Sequence, residues 1–331
     1  MENIRKLKLA FLGVSHWHVP LYLEAVEKEG LFVAAVSDPD EALAGRFAAR
    51  LGCKAYTDAE KLLDEVKPDF VFAFDMHCRM PALADLLIDR RIPFSIEKPL
   101  GVSAADAERI RDRAKEAGVF VAIPFIWRYS DLVKQLREST APEDFVNFSY
   151  IFIAGPPSRY LESSAWMLEK KLAGGGCMTN LGVHFIDMAL YLSGSDRAEV
   201  LGSSFHYMNG YDVEDSAVSL ARLSSGASLA IQTGYAYPMD EENKRDNRWN
   251  FTTKNGYYTI GDGRLETRIM GREAKETLLS TDSDVYYPVY TVETLRQYVQ
   301  GAAPAAGLDD MVKTRRILDA MIAKAESGGC V

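Results

Sequence analysis

The sequence predicts two domains of different class: an N-terminal doubly wound α/β domain with a parallel sheet, then an α+β domain with a large, mostly antiparallel open sheet. Three observations carry this. Across residues 1–124, short apolar runs alternate with amphipathic stretches, the pattern of a parallel sheet covered by helices on both faces. Beyond Pro124, strand-like runs follow one another across turn signals such as Ser225-Gly226 and Asn255-Gly256. At 331 residues, with 47% hydrophobic and 26% charged, the chain is long enough for two real cores. The domains are placed at 1–124 and 125–331.

In order, Leu7 to Leu12 reads as a buried strand, and Pro20 to Lys28 as the helix after it. Leu31 to Ser37 is a second strand and Glu41 to Leu51 a second helix. A helix over Asp58 to Val66 leads to the strand Phe70 to Phe74, and one over Pro81 to Arg90 to the strand Phe94 to Ile96. Ser103, with Asp106 three residues on, caps the next helix before the strand Val119 to Ile123. The second half predicts helices at Asp131 to Glu138 and Leu181 to Leu192. Strands are expected over Glu199–Tyr207, Ser216–Leu223, Ser228–Tyr235, Trp249–Thr253 and Tyr257–Ile260. Helices over Val289–Val299 and Leu308–Glu326 close the chain.

Bulk properties exclude several classes. No apolar run reaches the roughly 18–20 residues that span a membrane, and no signal-peptide core follows Met1. Cys53, Cys78, Cys177 and Cys330 form no Cys-x-x-Cys pair, so reduced thiols in the cytoplasm are expected. The formal net charge is -9 with no basic stripe, which argues against a nucleic-acid partner.

The stretch "FLGVSHWHVP" ends the first strand where a dinucleotide site carries Gly-x-Gly-x-x-Gly. Here Gly13 remains, while Ser15 and His18 replace the other two glycines. Ser15 offers a hydroxyl in place of bare backbone. His18 cannot reproduce the third glycine's close packing, so the helix should tilt or shift. Asp38, 25 residues beyond Gly13, stands near the spacing of the acid that binds a ribose diol. Its neighbours Pro39 and Asp40 are not basic, which favours NAD over NADP. The alternative is that Asp38 caps the next helix.

"IEKPLG" (Ile96 to Gly101) follows the fourth parallel strand, and "GGGCMTNLGVHFIDMALYLSG" (Gly174 to Gly194) opens a long helix. With "DVEDSAVSLARLSSGASLAIQTGY" (Asp212 to Tyr235) and the C-terminal "LDDMVKTRRILDAMIAKAESGGCV", these resemble the glucose–fructose oxidoreductase, inositol dehydrogenase and rhizopine catabolism family, Gfo/Idh/MocA, over almost the whole chain. The resemblance implies an N-terminal Rossmann domain, hydride transfer with NAD(P), sugar or cyclitol substrates, and homodimers or homotetramers paired through the C-terminal sheet.

By the same resemblance, Lys98 matches the catalytic lysine, where an ammonium stabilises a developing alkoxide. Pro99 favours an extended Lys98. His184 matches the catalytic histidine, a base for the substrate hydroxyl. Asn180, one turn earlier, stands where the family usually has Asp; being neutral, it reads as a substrate ligand. Asp187 is a possible replacement carboxylate for His184, or pairs elsewhere. After Phe74 the family often reads Thr-Pro-Asn-x-x-His, whereas this chain has Asp75, Met76, His77, Cys78, Arg79, Met80. Trp127-Arg128 replaces an Arg-Arg pair, putting Arg128 near cofactor or substrate, or in an ion pair.

Cofactor contacts are therefore expected from Gly13, Ser15, His16, Trp17, Asp38, Asp75, His77, Glu97, Lys98 and Arg128. Substrate contacts are expected from Lys98, Trp166, Asn180 and His184, with Tyr160 a further pocket candidate. No metal site is expected, since His-x-His lacks strong ligand spacing. The leading function is an NAD-dependent oxidoreductase acting on a secondary alcohol of a sugar or cyclitol. The alternatives are a lyase or glycosidase that uses tightly bound NAD for transient oxidation, and a silent nucleotide-binding protein.

Overall fold

The first apolar run folds as β1 (Leu9–Leu12), buried along its length near the middle of a six-stranded sheet, after a short helix α1 (Glu2–Arg5). The computed structural model describes residues 2–238 and 245–327, so Cys330 lies outside the described residues. The sheet has the order β3-β2-β1-β4-β5-β6, with every pair parallel. Its strands are β2 (Val33–Ser37), β3 (Lys54–Tyr56), β4 (Phe70–Ala73), β5 (Phe94–Ile96) and β6 (Val121–Ala122). The order reverses between β1 and β4, the switch point at which such sheets bind ligands. The sequence pattern misses β3 because this edge strand is only three residues long and never fully buried.

Helices α2 (Val19–Glu29), α3 (Glu41–Leu51), α4 (Ala59–Val66), α5 (Met80–Asp89) and α6 (Ala104–Ala117) alternate with these strands. Local capping chemistry sets several starts. Asp40 accepts from the Leu43 amide, Asp58 from Lys61, and Ser103 with Asp106 forms a reciprocal capping box. Asp40, not Asp38, is thus the cap of α3, which leaves Asp38 for another task.

The second unit contains α7 (Asp131–Ser139), β7 (Phe145–Ala154), α8 (Lys170–Ala173) and α9 (Val183–Ser193). Seven more strands follow: β8 (Ala198–His206), β9 (Ser216–Leu223), β10 (Ser228–Gly234), β11 (Arg245–Thr253), β12 (Gly256–Gly261), β13 (Arg264–Ile269) and β14 (Lys275–Leu278). They form one eight-stranded sheet, β14-β13-β12-β11-β7-β10-β9-β8, antiparallel except where β7 meets β10. On its covered face Phe185 stacks on Tyr150 at 4.8 Å, and Trp127 meets Trp249 edge-on at 4.6 Å. The polar strands β13 and β14 carry too little apolar alternation to be read from sequence.

After β14 come α10 (Tyr287–Val299) and α11 (Leu308–Ser327). Residues up to Pro124 group with Asp284–Val312, and Phe125–Ser283 groups with the chain from Lys313 onward. The sequence reading kept 125–331 as one piece. The structure differs because Tyr287 and Tyr290 of α10 bury their rings 5.2 and 5.9 Å from Tyr22 on α2, and Tyr298 lies 5.5 Å from Phe70. Aromatic burial of this size outweighs nearness in sequence. Among the described residues no helix is long and apolar enough to cross a membrane.

Candidate active site

At the end of β1 the chain turns at Gly13, whose φ is +77°. A Cβ there would lie 2.0 Å from the Phe74 carbonyl oxygen, so both the backbone conformation and the space demand glycine. The amides of Gly13 and Val14 both donate to the Ser37 carbonyl, tying the turn to the end of β2. The buried Asp38 follows directly. It accepts from the Ser15 amide at 2.6 Å and the Asp40 amide at 3.0 Å, so two backbone donors hold its carboxylate. Ser15 itself is exposed, while Asp75, at the end of the β4 segment, is half-buried and burial raises its pKa.

The histidines close the turn on itself. The His16 Nδ1 accepts from the His18 amide at 3.2 Å, and the Val19 amide donates to the His16 carbonyl. Burial, reinforced by the charge of His18, pushes the His16 imidazole well below its ordinary range, matching a neutral ring that accepts at Nδ1. Trp17 is half-buried and packs its ring 3.7 Å from that of His18. His77 is buried and close enough to His16 to act on its titration.

His18 does not leave a gap where the third glycine belongs. Its Nδ1 lies 3.0 Å from Glu97 Oε1, and the Tyr287 hydroxyl lies 3.2 Å from both ring nitrogens. Tyr22 also donates to Glu97 Oε1, at 2.7 Å, and the Lys98 amide donates to Oε2 at 3.2 Å. Burial alone would raise the Glu97 carboxyl. The charge and hydrogen bond of His18, with His16 and Lys98, outweigh that and hold it well below the usual carboxylate range. Glu97, expected to touch cofactor, therefore spends its carboxylate on His18, Tyr22 and the Lys98 backbone. Lys98 is buried too. Burial is the larger influence on its ammonium and lowers it against the opposing charge of Glu97, to about 8. The Lys98-Pro99 peptide bond is cis.

In the second unit the glycine cluster exists for close approach. A Cβ on Gly176 would lie 1.9 Å from the Glu214 carbonyl oxygen, which accepts from the Cys177 amide. The buried Glu214 carboxylate accepts from the amides of Gly176 at 2.6 Å and Met178 at 3.0 Å. Those donors open the helical entry to α9, so the acid offsets their partial positive charge. The entry, Met178–Gly182, is a widened turn of π-helix, a distortion frequent at functional sites.

Asn180 sits in that turn, buried, with Nδ2 donating to the Tyr160 hydroxyl at 3.0 Å and the Tyr235 hydroxyl at 3.1 Å. Arg159 donates to the Tyr160 hydroxyl at 2.6 Å. His184 lies in the first turn of α9, half-buried, its ring 6.4 Å from that of Phe125. Trp166 is half-buried in a short 3-10 turn.

For Asp187 and Arg128 the structure shows the ion pair that the sequence left open. The Asp187 oxygens lie 2.5 and 3.0 Å from Arg128 Nη2 and Nε in a buried two-point ion pair. The Arg128 guanidinium also lies 4.4 Å from the centre of the Tyr191 ring. Sequence reading also missed Tyr22, Tyr287, Glu214, Tyr235 and Arg159. Tyr22 is four residues after His18 on the same helix face, and that spacing was the available signal.

Among known proteins, the Gfo/Idh/MocA oxidoreductase family, NAD-binding Rossmann fold, matches residues 7–125, and the C-terminal domain of that family matches residues 133–259. The D-xylose 1-dehydrogenase (NADP(+)) 2 of Haloferax volcanii is 25% identical over 356 residues, covering 98% of this chain and 99% of that protein. The myo-inositol 2-dehydrogenase of Thermotoga maritima is 26% identical over 58% of each chain. An oxidoreductase from Agrobacterium radiobacter, solved with NAD+, L-tartaric acid and magnesium, superposes with a TM-score of 0.85 at 19% identity, covering 98% of this chain and 97% of that one. A levoglucosan dehydrogenase solved with NADH and levoglucosan gives 0.85 at 16%, covering 98% of each.

Proposed function

This chain belongs to the Gfo/Idh/MocA family of NAD-binding oxidoreductases, and from that premise we propose that it moves hydride between NAD and a secondary alcohol or ketone of a sugar, sugar derivative or cyclitol. The observation that carries the reading is Lys98: a buried amine brought to about 8, anchored through its backbone to a carboxylate, at the end of a strand of the parallel sheet. An amine poised there suits proton handling near neutral pH.

The residues fit a dinucleotide. Asp38, held by two amides at the end of β2, keeps lone pairs for a ribose diol, and its acidic neighbour Asp40 disfavours a 2′-phosphate. NAD is therefore preferred over NADP. Gly13, Ser15, Asp75 and the ring of Trp17 complete the expected cofactor surface. The closed turn leaves fewer amides for a pyrophosphate than three glycines allow, since those of His18 and Val19 are taken up within the turn.

A nicotinamide cofactor bound there would supply the hydride chemistry at the carbinol carbon. Lys98 donates to the substrate oxygen and stabilises the negative charge growing there. His184 takes the hydroxyl proton on a ring nitrogen. Asn180 orients the substrate, its amide already aligned by Tyr160 and Tyr235. Trp166 lines the sugar pocket.

We also propose a homo-oligomer paired through the C-terminal sheet. Val218 and Leu220 on β9 and Tyr257 on β12 point to one face by register and stand 49%, 44% and 43% exposed. The thiols Cys53 and Cys177, free of disulfides, suit the cytoplasm. The test is a panel of sugars and cyclitols with NAD and with NADP, following reduced cofactor and non-redox products together. Reduced cofactor should accumulate, faster with NAD. Product without reduced cofactor would establish transient oxidation instead.

A further inference from the structure

At the start of α2, His18 holds the position from which a side chain caps its own helix, yet its ring makes no capping bond. Asp40, Asp58 and Ser103 at the equivalent positions all cap theirs. The buried His18 ring instead packs 3.7 Å from that of Trp17 and 4.9 Å from that of Tyr287 on α10. Its Nδ1 lies 3.0 Å from Glu97 Oε1, while Oε2 accepts from the Lys98 amide at 3.2 Å. The Tyr287 hydroxyl completes the line at 3.2 Å from the imidazole nitrogens. A chain of polar contacts thus runs from α10 through His18 and Glu97 to the Lys98 backbone, and none of the four residues is more than 4% exposed. Buried contacts of this kind are costly to break, because no water replaces the lost partner.

A second contact fixes the same arrangement. The Tyr290 hydroxyl, one turn along α10, lies 2.6 Å from Ser95 Oγ on β5, two residues before Glu97. Phenylalanine rings would fill the same space but would leave the imidazole and Ser95 without these partners. Charge follows the same line. Burial works against the ionised Glu97, and His18 is the strongest influence holding it charged; that charge in turn supports the Lys98 amine against burial. The titratable groups around Glu97 are His16, His18 and Tyr22 from the turn and α2, Tyr287 from α10, and Lys98, with Asp284 and Tyr290 acting on Tyr287.

We propose that His18 and Tyr287 are positioning residues for Lys98. Tyr287 fixes the His18 ring, His18 fixes the Glu97 carboxylate, and Glu97 fixes the peptide from which the amine extends. The place where a dinucleotide turn carries its third glycine has thus become a support for the lysine at the end of β5. Helix α10 contributes its hydroxyl from 269 positions further along the chain, so the C-terminal part of the sequence helps to set that lysine. Only the word positioning rests on the oxidoreductase reading, in which Lys98 serves the reaction; its support through Glu97 does not.

The test follows the Lys98 side chain itself, by NMR of the full-length protein carrying isotope-labelled lysine, its signal assigned by loss in Lys98→Met. In the native protein that signal should titrate at about 8. His18→Leu removes the nearest partner of Glu97, so burial should raise that carboxyl and weaken its support of the amine. The Lys98 midpoint should then fall by about one pH unit. His18→Asn puts an amide nitrogen near the place of Nδ1 and should recover most of that loss. Tyr287→Phe keeps the ring and should shift the midpoint in the same direction, about half as far. With a sugar or cyclitol that turns over, Tyr287→Phe should also lower kcat about tenfold and leave KM for NAD within about twofold. A midpoint unmoved in Tyr287→Phe overturns the proposal, and this variant decides alone if His18→Leu does not fold. A midpoint that falls as far in His18→Asn as in His18→Leu assigns the shift to lost packing and overturns it as well. The titration needs no substrate, so a protein that reduces cofactor with no sugar loses the oxidoreductase reading while the support of Lys98 is still decided.

Discussion

The buried Glu97 in the first unit and the buried Asn180 in the second are both held by tyrosines, yet one centre is a carboxylate and the other a neutral amide. In the first, a carboxylate is surrounded by donors from His18, Tyr22 and the Lys98 backbone, and the adjoining amine is brought to about 8. In the second, Asn180 Nδ2 donates to the hydroxyls of Tyr160 and Tyr235, and Arg159 donates to Tyr160. The first pocket is complete and sets the state of one lysine. Buried tyrosines thus fix a charged group in one place and a neutral amide in the other.

The largest effect should come from the completed pocket. Lys98→Met should lower turnover by about 10³-fold while NADH binding, read by fluorescence, stays. The same variant should change stability with pH in a defined sense. The Lys98 amine is lowered from about 10.4 in the unfolded chain to about 8 in the folded one. Protonated, buried Lys98 therefore costs stability below about 8, and that cost is relieved as pH rises through the window between the two values. The melting-temperature gap between Lys98→Met and the native protein should narrow across that window. A gap independent of pH contradicts the burial account.

A smaller effect is expected at Glu97. Glu97→Gln leaves His18 and Tyr22 facing a neutral amide and should cost about 3 kcal/mol in urea unfolding at pH 7. Because the folded carboxyl is held low, its contribution is complete above its ordinary value of about 4.3 and fades as pH falls below that. The deficit of the variant should shrink in acid. A deficit unchanged at low pH would assign Glu97 to packing alone. Smallest is Asn180→Asp, which puts a carboxylate one turn from His184. It should move the acid limb of kcat/KM upward by about one pH unit, and an unmoved profile would separate the two residues.

Much of the fold was legible because burial wrote it into the sequence. Continuous apolar runs mark β1, β4 and β5, and Ser103 with Asp106 marks the start of α6. The strands β3, β13 and β14 were not, since little of them is buried. The placement of α10 escaped for a different reason. Its pairing with α2 depends on tyrosines more than 260 residues apart, Tyr22 and Tyr287, which no local pattern joins. At the site, Lys98, Asn180 and His184 came from resemblance, while their partners are tertiary facts. The turn at Gly13 shows both: its glycine was required by φ and by Phe74, but the occupation of the third glycine's place by a His18–Glu97 pair appears only in the packed structure.

The central proposal assigns Lys98 and His184 to a single reaction. A double-mutant cycle in kcat/KM with Lys98→Ala, His184→Ala and the combined variant tests it most directly. Residues acting on one transition state lose most of their effect together, so the double variant should be scarcely slower than the worse single one. If the two losses instead multiply, or His184→Ala alone retains native turnover, the assignment of both residues to one active site is wrong.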